Sequence, residues 1–361
     1  MNDRDSLLQL LQDAIKKMHP AYFAMVMATG IVCISSQLLG FKSVALLLHW
    51  LNVLFFLTLW LLTLIRFVSF NREFIADLTD HSRGVGFFTV IAGTCVLGSQ
   101  FVVVVQNIPI AMALWILGIS LWVVFIYTIL TAFTIKETKP PLEKGLNGGW
   151  LVIVVATQSV SNLGSILLPH LAQHQDWMIF TCLSLWLCGG MIYIWVISLI
   201  FYRYTFFLMS PTDLMPPYWI NMGAMAISTL AGTALIANAP ISPFLTELLP
   251  FLKGFTIFFW ATATWWIPML IVLGFWRHVY KKVKLTYDPL YWGAVFPLGM
   301  YTACTFKLAL SLNQEYLLII PRIFIYVAFA AWIATFTGLI LKTLGTIAQQ
   351  RQVMRATPSE R

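Results

Sequence analysis

Charge is what this chain has least of. Of its 361 residues only 10% are Asp, Glu, Lys or Arg, against 60% hydrophobic, a balance that excludes an ordinary soluble domain. None of the 14 carboxylates falls within the core of a long apolar run; all lie in tails, loops or outermost turns, Asp213, Glu247, Asp288 and Glu315 among them. Cation pumps and proton-driven carriers place carboxylates at mid-membrane because their ion needs a partner there, so the absence points to an anionic or neutral solute. Cysteine is scarce too. Cys33, Cys95, Cys182, Cys188 and Cys304 fall in apolar runs with no pair at CxxC spacing, and read as buried, inert thiols. Of the six histidines (His19, His49, His81, His170, His174, His278), most sit at loops or interfaces and only His49 lies near a span, unpaired. Haem ligation needs histidines facing one another within spans. HExxH and metal-spaced carboxylate clusters are also missing, so neither an enzyme nor a metal or other cofactor is expected. Residues 1–18 begin too polar, and lack the apolar core and cleavage site, for a signal peptide.

What the chain has is apolar runs of about the 20 residues that cross a bilayer. Ten are read, at about 20–40, 44–68, 84–105, 109–135, 149–169, 177–202, 217–238, 254–276, 289–310 and 317–342. Little remains outside them, and no soluble catalytic domain fits. The expected organisation is an N-terminal segment 1–18, a ten-helix pore domain 19–342 and a tail 343–361. In the first segment Leu7, Leu8, Leu10, Leu11, Ala14 and Ile15, followed by Lys16 and Lys17, read as an amphipathic helix on the membrane surface. The net charge of +8 is a matter of topology. With an even number of spans and a cytoplasmic N-terminus, 18 of the 22 Lys and Arg fall inside, Arg4 and Arg361 at the extremes, while Lys42, Lys253, Lys307 and Arg322 fall outside. That asymmetry places both termini in the cytoplasm and the chain in the cell membrane, and it removes nucleic acid as a partner.

The runs alternate in kind. Odd-numbered ones carry Gly, Ser, Thr, Asn and Gln, as in Thr29-Gly30, Gly93-Thr94, Ser161-Asn162 and Asn221 with Gly223; even-numbered ones are dominated by Leu, Ile, Phe and Trp, as around Trp60, Trp122 and Trp186. Lipid penalises exposed polar groups, so the odd helices are expected to face protein or water and the even ones the acyl chains. Each odd run also opens with a Pro or Gly breaker ahead of an aromatic residue: Pro20 before Tyr22, Gly84 before Phe87, Gly149 before Trp150, Pro217 before Tyr218 and Pro289 before Tyr291. The starts recur every 64–73 residues or so, one helical hairpin each. The expected fold is all-α: ten transmembrane helices as five hairpins, the odd helices enclosing a central pathway. Gly30, Gly93, Ser161, Asn162 and Gly223 are candidate lining residues, although small residues also serve close helix packing.

In the ninth run Phe296, Met300, Ala303 and Lys307 form a stripe, since eleven steps of about 100° return to within roughly 20° of one face. Pro297 cannot donate to the carbonyl of Gly293, so a kink is expected there. A phenyl ring in a narrow pore blocks by bulk and dewetting. Lys307 and Arg322 are the candidate cations at the outer mouth, where long side chains also snorkel.

The stretch His19-Pro20-Ala21-Tyr22-Phe23-Ala24-Met25-Val26-Met27-Ala28-Thr29-Gly30 resembles the opening of the tellurite-resistance/C4-dicarboxylate transporter family. That family embraces bacterial TehA, the plant slow-type anion channels and fungal malate permease and sulfite exporter relatives. Tyr291-Trp292-Gly293-Ala294-Val295-Phe296-Pro297 is similar to its ninth helix. The resemblance implies a quasi-five-fold arrangement around a central pore, a homotrimer, and Phe296 as the gate occluding the pore midway. It also implies small inorganic or organic anions as the permeant. A passive or weakly coupled channel or transporter for chloride, nitrate, sulfite or a small dicarboxylate such as malate is the first expectation; a saturable or coupled carrier of sulfite or of a C4-dicarboxylate is the alternative. A structural scaffold would explain the hydrophobicity but not the alternation.

Overall fold

Ten helices long and apolar enough to cross a bilayer follow one another in the computed structural model, which describes residues 3–171 and 175–356. They are α1 (Pro20–Leu38), α2 (Lys42–Ser69), α3 (Gly84–Val103), α4 (Ile108–Ile135), α5 (Gly148–His170), α6 (Gln175–Phe206), α7 (Pro216–Ile241), α8 (Leu249–Tyr280), α9 (Pro289–Ser311) and α10 (Glu315–Gln349). All the regular structure among the described residues is helical. His174 and Arg361 lie outside them. A helix at Asp3–Lys16 precedes the spans, and the last helix runs on to Ala356, through much of the stretch expected as a tail, because Lys342–Ala356 contains good helix formers and no proline.

Burial follows the alternation. In the odd spans 72–94% of the most apolar window is buried, in the even spans 22–39%. Each odd span packs on the next, and α9 packs back on α1, so the contacts among the five form a closed cycle. Each even span packs on the odd span before it and leans on the one after it. Large apolar side chains on the even spans, such as Leu47, Val124, Trp195, Val272 and Ile333, are exposed.

Two devices hold this arrangement. At every contact between neighbouring odd spans one wall is a glycine. A Cβ on Gly30 would stand 2.5 Å from Val96, on Gly98 2.5 Å from Leu163, on Gly148 2.5 Å from the Pro217 carbonyl, on Gly223 2.7 Å from Pro297, and on Gly299 2.9 Å from Ile31. Without that atom the backbones approach and dispersion replaces the missing hydrophobic drive between helices in lipid. The second device is tryptophan. Trp122 of α4 donates its indole N–H to Thr157 of α5 (2.8 Å), Trp186 of α6 to the Ser228 carbonyl of α7 (2.8 Å), Trp260 of α8 to Thr305 of α9 (3.0 Å) and Trp332 of α10 to Thr29 of α1 (3.0 Å). An indole N–H has no partner in hydrocarbon, so these rings turn inward. Trp122 and Trp186 thus differ from the lipid-facing role expected of them.

The end at which the odd spans begin also carries arginines tied to the backbone, Arg66 and Arg203 buried and Arg277 half-buried. Arg66 donates to the Lys16 carbonyl (3.2 Å), Arg203 to the Leu146 carbonyl (2.7 Å) and to Tyr218, and Arg277 to the Leu214 carbonyl. These cations staple loops to helix ends in addition to any topological role.

Candidate functional site

Every odd span starts with a tight 3₁₀ turn: Pro20–Phe23, Gly84–Phe87, Gly148–Leu151, Pro216–Trp219 and Pro289–Tyr291. The breakers seen in the sequence fix these turns, and side chains cap several of them. His19 Nδ1 accepts from the Ala21 N–H (3.1 Å), Asn147 Oδ1 from Gly149 (2.7 Å) and Asp288 Oδ1 from Leu290 (2.8 Å). The five turns surround one cavity of about 290 Å³. Its wall repeats in register, two residues three apart from each span: Ala21 and Ala24, Gly86 and Thr89, Gly149 and Val152, Pro217 and Ile220, Leu290 and Gly293. A spacing of three keeps the pair on one helical face, and it is the same face in all five. Phe296, one further step along α9 and fully buried, also lines the cavity. The positive ends of five helix dipoles therefore converge on this space.

Two side chains at its rim were not singled out from the sequence. Arg83 lines the cavity and is clamped by Asp77, Nε to Oδ1 at 2.6 Å and Nη2 to Oδ2 at 2.9 Å. Asp77 also accepts from the nearly buried Arg66 at 2.6 Å. One carboxylate between two guanidinium groups leaves the triad cationic. Burial works against the Asp77 charge, but the hydrogen bonds from Arg83 and Arg66 outweigh it and hold the carboxyl below its ordinary range. His19 faces the same rim. Burial first, and then the charge of Arg83, push its imidazole down to about 4, so it is neutral at pH 7 and free to cap. Arg83 sits just before the Gly-Val-Gly-Phe start of α3, and that adjacency to a repeated breaker is the signal that could have found it.

Beyond Phe296 lies a second space of about 10 Å³, also walled by all five odd spans, by Ile31, Val96, Ile227, Met300 and the polar Ser99, Ser159 and Asn162. That is about the room one water occupies. The Ser159 hydroxyl is buried without a partner, and Asn162 reaches Ser99 only at 3.5 Å.

Of the residues singled out in the sequence, Phe296 and Gly293 line the larger cavity, and Met300 and Asn162 the smaller. Ala303 is fully buried a turn past Met300, and Lys307 is exposed a turn further on. Tyr301 and Thr305, which bond Thr264 and Trp260 of α8, mark the outward face of α9. At about 100° per residue, Phe296, Met300, Ala303 and Lys307 all point within roughly 60° of the opposite direction. The structure turns the other lining candidates elsewhere. Gly30, Gly93 and Gly223 face Val96, Val26 and Pro297 in helix contacts, and Ser161 donates to the Cys182 carbonyl of α6 at 2.7 Å. Arg322 is exposed near the start of α10. Among the described residues no group of His, Cys, Asp or Glu is placed to hold a metal.

Ten apolar spans, five of them buried around two aligned spaces free of carboxylates, describe a membrane transport protein. The family model for the SLAC1 voltage-dependent anion channel matches residues 17–340, and the chain belongs to that family. Relatives span nearly all of it. It is 26% identical over 344 residues to the uncharacterized transporter MJ0762 of Methanocaldococcus jannaschii, covering 93% of this chain and 97% of the relative. The uncharacterized transporter MJ0576 of the same organism is 30% identical over 299 residues, 81% of this chain and 83% of the relative. The sulfite efflux pump SSU1 of Trichophyton rubrum is 24% identical over 355 residues, 91% and 92% of the two chains.

Proposed function

We propose that small anions cross the membrane along the axis enclosed by the five odd spans, and that Phe296 is the plug. In this reading the ten spans form five hairpins in quasi-five-fold order over 19–342, flanked by cytoplasmic segments 1–18 and 343–361, in the cell membrane and as a homotrimer. The chain transports and does not catalyse. The observation that carries the reading is the larger cavity: five helix N-termini and the cationic Arg83 triad face it, and no carboxylate lines it. An anion there is drawn by fixed dipoles without a tight site that would hold it, which is what conduction requires. Met300 and Ala303 continue the path, and Lys307, with Arg322 at the periphery, supplies positive charge at the far mouth.

Replacing the ring tests the plug. Phe296→Ala is expected to raise anion conductance in liposomes severalfold while the protein keeps its fold and assembly. Unchanged conductance in a folded protein would sink the assignment.

Similarity to sulfite efflux pumps over nine-tenths of the chain supports a second reading, a saturable carrier of sulfite or of a C4-dicarboxylate such as malate. Flux across a panel of chloride, nitrate, sulfite and malate separates the two: unitary currents support the channel, saturable exchange without current the carrier.

A further inference from the structure

A third space, of about 180 Å³, lies off the axis between the last turns of the outer span α8 and the first turns of α7 and α9. Its walls are apolar, from Pro216, Leu270, Leu273 and Ala294, with the half-buried rings of Trp219 and Tyr291. Such rings mark headgroup level in a membrane. Arg277 also lines it. Its guanidinium is tied to the Leu214 carbonyl, its shielded Nε has no partner, and no carboxylate lies within salt-bridge distance among the described residues. A buried cationic donor left unpaired is costly, so the site wants an acceptor.

The local backbone is built around that point. The last turn of α8, Trp276–Tyr280, is π-helical, a wide turn found often at functional sites. The chain then reverses through Lys282 at φ 54°, with the Val283 N–H donating to the Arg277 carbonyl at 3.1 Å and His278 Nδ1 donating to the Val283 carbonyl at 2.9 Å. The reversal keeps Lys281, Lys282 and Lys284, all exposed, beside the same helix end, and Lys281 lies over the Trp276 and Tyr280 rings at 5.7 and 5.3 Å. No carboxylate occurs between Arg277 and Tyr287.

We propose that this pocket binds one anionic phospholipid, an acyl chain between α7, α8 and α9 and the phosphodiester on Arg277, within the field of the three lysines. Apolar walls would repel a free anion, and a zwitterionic lipid would gain little from four cations. The planar guanidinium fork suits phosphate oxygens. The site is separate from the axial cavities and does not depend on what passes along them.

Native mass spectrometry of the full chain in nonionic detergent tests it, with phosphatidylglycerol and phosphatidylcholine of matched acyl chains and with glycerol phosphate as a headgroup alone. One phosphatidylglycerol is expected to stay bound, about tenfold more tightly than phosphatidylcholine. Arg277→Gln should remove that preference, and Ala294→Trp, which fills the pocket but spares the Arg277–Leu214 bond, should remove the bound lipid. Equal retention of the two lipids, wild-type retention by both variants, or full displacement by glycerol phosphate would overturn the proposal. The readout is binding alone, so such a result leaves the anion pathway standing.

Discussion

At position 296 a fully buried ring is followed by a residue that cannot donate a backbone hydrogen bond. The carbonyl that Pro297 leaves free belongs to Gly293, which lines the large cavity, so the acceptor lies beside open space and not lipid. At the rim of the same cavity, His19 does something the sequence hid: its Nδ1 must stay unprotonated to cap α1. An unfolded imidazole titrates near 6.5, whereas burial and Arg83 bring this one to about 4. Between those values the unfolded chain binds more protons, so the contribution is complete above about pH 6.5 and is lost as pH falls toward 4. His19→Asn keeps a capping acceptor that does not titrate, and is expected to flatten the fall in melting temperature between about pH 6.5 and 4.5 in detergent. A slope equal to the wild type would assign that acid sensitivity to other groups, first to His81, whose imidazole burial also lowers below its ordinary value.

Among elements, the decisive contacts are those between helices of the same kind. Gly223 lets α7 close on the ring of Pro297, and a leucine there has no room. Gly223→Leu should destabilise the protein by about 1–3 kcal/mol, the usual cost of overpacking. Gly254 on the exposed face of α8 has nothing within 4 Å of a Cβ, so Gly254→Ala is expected to be neutral or slightly stabilising. Thermal melts of both in the same detergent check the pair, and equal losses would mean that the α7–α9 contact is not special. The even spans contribute through tryptophan. Five indole donors, Trp115 to the Val160 carbonyl among them, reach from an outer helix to the inner helix that follows, which explains why residues typical of a lipid face are partly buried.

Over the whole molecule, five inner helices point their N-terminal ends at one cavity, and their C-terminal ends gather at the other side. The second end is therefore the negative end of the inner dipoles, and Lys307, four residues before the end of α9, offsets it. Lys307→Glu is expected to lower anion over cation permeability and to shift the reversal potential in a salt gradient toward the cation value. A reversal potential that does not move would return Lys307 to snorkelling at a helix end. Salt screens this field within about 10 Å at 0.1 M, so the shift should shrink as ionic strength rises.

The alternation of helix kinds, their number and the breakers that start each inner helix were legible along the chain, because lipid sorts residues by polarity and a 3₁₀ start needs a particular residue. Which polar side chains face the axis was not. Ser159 and Ser161 stand two residues apart, about 200° around the same helix, and one meets the small axial space while the other donates to α6. Many of the remaining hydroxyls, among them Thr94, Ser228 and Thr302, simply donate to the carbonyl one turn back. The cavity that Arg83 faces and the off-axis pocket at Arg277 likewise join residues from separate segments. Such placements depend on neighbours far away in the chain, and only the packed helices bring those neighbours into reach.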